Sequence, residues 1–104
     1  MTESDWKLFK KIKEEALQKF CSNILKGISE TIETQESSAH ERYLQVYERV
    51  RGSDKELGQI FDGLSRSKAH MQLLIIRSKG LANQRLVGQL SEDFQHETDP
   101  KRLG

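Results

Sequence analysis

Residues 38–64 read SAHERYLQVYERVRGSDKELGQIFDGL, and the helical organisation of the chain turns on this segment. Ser38 and Glu41 have the S-x-x-E spacing in which each side chain satisfies the other's free backbone amide, so a helix starts here. From there Tyr43, Tyr47, Val50, Leu57, Phe61 and Leu64 follow alternating steps of three and four, broken only by Asp54. That pattern is the seam of a helix hairpin or coiled coil. Gly52, followed by Ser53 and Glu56, offers a competing stop and second cap inside the same stretch. We read a single helix from Ser38 to about Leu64, with a weak point near Gly52.

Upstream, Phe9, Ile12, Ala16, Leu17, Phe20, Cys21, Ile24, Leu25, Ile28 and Ile32 recur on one face of a 3.6-residue period, which predicts a helix from Ser4 to Thr34. Its later apolar positions step by four, so the stripe drifts by about 40° per step on a straight helix, and Gly27 is a candidate bend. Thr34 to Ser38 is polar and reads as the connection. Two long antiparallel helices follow from this arrangement.

Downstream of Gly63, Ser65 and Ser67 are candidate caps for a third helix whose centre, Leu73 to Ile76, is apolar on every side and belongs in the middle of the core. A buried strand is the rival for so short a run, but its neighbours favour helix and no second strand is available to pair with it. Gly80 and Leu81 read as a helix stop, glycine at positive φ and leucine folded back on the last turn. Asn83 then caps a last helix carrying Leu86, Val87, Leu90 and Phe94, and residues 98–104 read as a frayed, charged tail after a domain of residues 1–97. The only proline, Pro100, interrupts nothing before that tail. The fold class is all-α: an antiparallel helical hairpin or bundle of two long and two shorter helices, completed by dimerisation.

Composition supports that completion. A chain of 104 residues is one domain by length, and its 35% hydrophobic content is lean, which favours an elongated shape or a core shared with a partner. Seventeen basic against sixteen acidic residues leave a net charge of +1, so no global field draws nucleic acid or membrane. The longest apolar run has four residues, far short of a membrane span, and the opening does not read as a secretory leader, so the cytoplasm is the expected location. The single cysteine, Cys21, forms no internal disulfide and reads as a small buried hydrophobe in a reducing compartment.

Catalytic patterns are missing from the sequence. His40, His70 and His96 stand far apart and lack the partner spacing of a helical metal site, and the scattered glycines form no phosphate loop. No enzyme activity, metal or cofactor is expected. The remaining signals concern binding. Trp6 to Ile12 (WKLFKKI) resembles the first helix of cecropin-type antimicrobial peptides, which implies a cationic amphipathic helix lying on anionic membranes. The resemblance covers seven residues, ends at Glu14 and Glu15, and lacks the family's Gly-Pro hinge, so no membrane partner is inferred from it.

Residues 65–95 resemble a helix-turn-helix DNA-binding unit, with Gly80, Leu81 and Leu86 at its turn glycine and buried positions. Ile76 and Gln89 depart from that pattern, where a small and an apolar residue are wanted. The third helix carries four basic residues and no acid, so Arg66, Lys68, Arg77, Lys79, Asn83, Gln84 and Arg85 are the candidate nucleic-acid contacts of this alternative. The preferred function is non-enzymatic protein association, with itself as a homodimer or with a regulatory partner. Trp6, Phe9, Tyr43 and Tyr47 are its candidate anchors, because aromatic side chains concentrate binding energy and these lie near helix ends.

Overall fold

The computed structural model describes residues 1–103, with side chains through Lys101. Helix α1 spans Glu3–Glu33, α2 Ala39–Phe61, α3 Arg66–Ser78, α4 Gln84–Val87 and α5 Glu92–Glu97, and a 3-10 turn follows at Pro100–Leu103. No strand occurs among the described residues. Both long helices fall where the apolar periods place them, and α2 runs unbroken through Gly52 and Ser53.

The helix ends follow local chemistry. Thr2 and Asp5 form a reciprocal capping box at the start of α1, and Ser38 accepts the Glu41 amide at 3.1 Å at the start of α2. No basic residue lies in the last turn of α1. Arg42 fills that role from α2, donating to the Ile32 carbonyl at 2.6 Å, where the negative end of the helix dipole welcomes a cation. Gly80 has φ +69°, the Leu81 amide donates to the Ile76 carbonyl and the Gly80 amide to the Arg77 carbonyl, both at 3.1 Å. These two bonds make the predicted glycine stop.

Three expectations change. The last helix is two: α4 ends at Gly88, and Ser91 caps α5 by accepting the Phe94 amide at 3.3 Å. The Leu73–Ile76 run is one-sided, with Leu73 and Ile76 fully buried while Leu74 and Ile75 are only half-buried, because a single helix packed from one side cannot bury its whole circumference. The chain just past 97 is held at Thr98, which is fully buried: its hydroxyl donates to the Phe94 carbonyl at 2.7 Å, and Arg77 donates to it at 2.9 Å.

The core sits at one end. Phe9, Ile12, Ala16 and Phe20 of α1 pack with Ile60 and Phe61 of α2, Leu73 and Ile76 of α3, and Leu86, Leu90 and Phe94 of the last segments. Burying each large apolar side chain is worth about 1.5–3 kcal/mol, so this base carries the stability. His70 hydrogen-bonds Glu97 at 2.5 Å and stands edge-on to the Phe94 ring at 4.8 Å, fixing α5 to α3. Lys13 donates to the Gly63 carbonyl, and Gln72 donates to the Asp62 carbonyl at 2.9 Å, closing the α2–α3 loop. Burial, then the neighbouring Lys68, holds the Lys13 ammonium below the usual lysine value against the pull of Asp62.

Beyond Phe20 and before Ile60 no residue of α1 or α2 is fully buried. The hairpin therefore continues as a two-helix arm. It gives the molecule extents of 53 × 25 × 23 Å and a radius of gyration of 16.7 Å, against roughly 13 Å for a compact chain of this length.

Candidate interaction surface

Along α2 the side chains turned toward α1 are Arg42, Val46, Ser53, Leu57 and Ile60, all at least half-buried. The predicted seam lies beside this line. Tyr43, Tyr47, Val50 and Asp54 are exposed, and the seam joins the core only at Leu57 and Phe61. On α1, Leu25 and Ile32 are exposed while Cys21 and Ile28 are half-buried next to them. The two stripes share one face: a groove of about 350 Å³ runs between Cys21, Leu25 and Ile28 on one side and Val50, Asp54 and Leu57 on the other. A second groove of about 320 Å³ continues it to the tip between Ile32, Tyr43 and Val46.

Leu25 and Tyr47 point away from the base, while the lower end of the face, at Leu57 and Phe61, runs into it. Leu25 stands nine residues after the core residue Ala16, and Tyr47 nine residues before Glu56, which pairs with Lys79 of α3 at 2.9 Å. Nine residues are about two and a half turns, so each lies on the far side of its helix. The other side of the arm is more polar, with the exposed Leu44 beside Thr31, Gln45 and Glu48, and there the Arg49 guanidinium lies on the backbone at Gly27, so close that a Cβ would meet its Nη2 at 2.5 Å. Gly27 thus serves a close approach, and α1 continues through it.

The four candidate anchors do not come together. Tyr43 (67% exposed) and Tyr47 (54%) share the arm's apolar face. Phe9 is fully buried in the base, since its position on the core stripe turns it inward, so it is unavailable as an anchor. Trp6 is half-buried, stacked on Phe9 with ring centroids 5.9 Å apart and flanked by Lys10 and Arg66 at 5.5 and 5.1 Å. Ile32, beside Tyr43, is 26 residues along α1 from Trp6, about 39 Å of helix. The face has further members in Leu25, Ile32 and Val50, whose only signal in the sequence is their place in the apolar periods, and a period says nothing about what each face meets. Cys21 lines the groove half-exposed rather than sitting inside the core.

The candidate nucleic-acid residues are largely engaged within the chain. Arg66 pairs with Glu3 at 2.7 Å, which holds that carboxyl below the ordinary range, and Lys79 pairs with Glu56. Arg77 donates to the Gln95 carbonyl at 2.6 Å and to Thr98, and Lys68 folds over Gly63. The Asn83 side chain accepts the Arg85 amide at 3.0 Å, capping α4, while Gln84 and Arg85 are exposed. The unit at residues 65–95 has its turn glycine, but α4 is a single turn of four residues, too short to lie in a groove as a recognition helix, because Gly88 and the Ser91 cap end it.

Among the described residues no three His, Cys, Asp or Glu side chains come together in a group that would hold a metal, and no helix is long and apolar enough to cross a membrane. No protein-family model matches the chain, and searches of curated proteins and of solved structures give no match either.

Proposed function

We propose that this chain acts by self-association, its arm forming half of a four-helix bundle made with a second copy. The observation that carries the reading is the heptad stripe of α2, Tyr43 to Asp54, which is exposed although its spacing is that of a helix seam. The stripes Cys21–Ile32 and Tyr43–Asp54 each span about 17 Å of helix on a face about 20 Å wide, so two copies would cover roughly 700 Å² between them, the area of a weak association. An apolar strip of this length is also larger than the scattered exposed side chains of an ordinary surface. A bundle of this kind serves as a regulatory or adaptor element, with no chemistry demanded of it.

Sedimentation velocity at micromolar concentration tests the reading. The expected result is a dimer for the unaltered chain and a monomer with unchanged helical circular dichroism for Tyr47→Glu, whose side chain is more than half exposed. An unaltered chain that remains a monomer at tens of micromolar overturns it.

A further inference from the structure

We propose that the two copies lie antiparallel, tip of one arm toward base of the other, on a two-fold axis crossing α1 between Leu25 and Ile28 and α2 between Tyr47 and Val50, with the partner's Tyr43 donating its phenol O–H to Asp54. This rests on the self-association reading and specifies its geometry. On α1 the exposed Leu25 and Ile32 form a stripe with the half-buried Cys21 and Ile28, and on α2 the exposed stripe is Tyr43, Tyr47, Val50 and Asp54; both step by four, three and four. Such a stripe reads the same in either direction, so against an antiparallel copy of itself it pairs first with last and second with third, the layer pattern of an antiparallel coiled coil.

Two stripes on one hairpin satisfy a single axis only when their midpoints are level. The α1 midpoint falls between residues 26 and 27, and that of α2 between 48 and 49. The hairpin places these side by side: Arg49 lies on Gly27, and Val50 lines the same groove as Leu25 and Ile28. One axis therefore closes both helix pairs at once. The base meets this face only at its lower end, through Leu57 and Phe61, beyond Asp54.

Asp54 selects this arrangement over the alternative with both tips together. In that alternative each α2 faces the partner's α1, and Asp54 comes level with Cys21 and Leu25, which offer a carboxylate no strong donor. A carboxylate removed from water without hydrogen bonds is costly. In the antiparallel arrangement the residue opposite Asp54 is the partner's Tyr43, an aromatic side chain with a donor at its end. The single polar member of the seam then sets the register, as a lone polar residue does in coiled coils.

The test places a spin label on Glu36→Cys, in the α1–α2 connection, in a Cys21→Ser background, and measures the distance between copies by double electron–electron resonance. The antiparallel dimer puts the two tips roughly 25–30 Å apart, since the tip ends of α1 and α2 lie about 7 and 10 residues of helix from the axis. A distance under about 20 Å overturns the inference and leaves self-association standing; a chain that sediments as a monomer overturns both. Tyr43→Phe removes only the hydroxyl from an exposed ring, and is expected to raise the dimer dissociation constant about tenfold or more, as loss of a hydrogen bond to a charged group does. An unchanged constant overturns the Tyr43–Asp54 pairing.

Discussion

The Asp5 carboxylate accepts two hydrogen bonds from Ser91, 86 residues away in sequence: one from the backbone amide at 2.8 Å and one from the hydroxyl at 2.6 Å. Thr2 adds a third from its amide at 3.1 Å. Asp5 is 1% exposed, so it ties the first turn of α1 to the cap of α5 inside the base.

Burial pushes the Asp5 pKa up, but the bonds from Ser91 and Thr2 outweigh it and hold the carboxyl below the ordinary range. A group whose folded pKa is depressed stabilises the fold above its unfolded pKa and loses that contribution as pH falls through the folded value. Asp5→Ala is expected to cost roughly 2–3 kcal/mol near neutrality. The gap between the two chains should begin to narrow below about pH 4, where the unfolded chain's carboxylate takes up its proton, and narrow further as pH falls through the lower folded value. Urea unfolding at several pH values checks this; a gap independent of pH contradicts it.

Ile76→Ala removes a fully buried side chain and should cost about 2–5 kcal/mol. Leu74→Ala, two positions earlier and half-buried, should cost clearly less, because water already reaches part of the side chain. Denaturation midpoints of the two variants separate a one-sided helix from one buried all round.

Much of the fold is legible in the order of the amino acids, because it rests on local rules. The ends of α1, the Ser38 cap and the Gly80 stop each depend on residues within a turn of one another. The break between α4 and α5 is set locally by Gly88 and the Ser91 cap, but the bond that ties that cap to Asp5 is a relation no window of sequence contains. The same limit governs the surface. Period identifies Tyr43, Tyr47 and Val50 as one stripe, yet which stripe of α2 meets α1 is settled by Phe20, Phe61 and the base helices together. For that reason the sequence does not separate the buried Phe9 from the exposed aromatics, and it does not single out Leu25 and Ile32 as members of the open face.

Two glycines give opposite outcomes. Gly80 needs positive φ, and nothing stands within 4 Å of the position a Cβ would take, so Gly80→Ala measures the backbone cost alone, about 1–2 kcal/mol. Gly52 lies inside α2 with equally open surroundings and ordinary φ. Gly52→Ala should stabilise by about 0.5–1 kcal/mol through helix propensity. Thermal unfolding of both variants should move in opposite directions.

Arg66 and Lys79 are paired with carboxylates and Arg77 is turned onto the Gln95 carbonyl, so fewer of the candidate residues are free to reach phosphates. A gel shift at about 50 mM salt with about 10 µM protein is expected to show no retardation of duplex DNA, though non-specific binders typically reach that affinity. Retardation that weakens steeply with salt would reinstate the DNA-binding reading.

The bond between Asp5 and Ser91 also orders events during synthesis. The first helix leaves the ribosome long before Leu90 and Phe94, which complete the core around it. The arm, built from neighbouring segments, can pair meanwhile, but Phe9 and Ile12 stay uncovered until the segment around Phe94 has emerged. Maturation of the base therefore lags behind that of the arm. Trp6, the sole tryptophan, stacks on Phe9 at that site, so its emission should reach the native signal only once residues 90–94 are free of the ribosome.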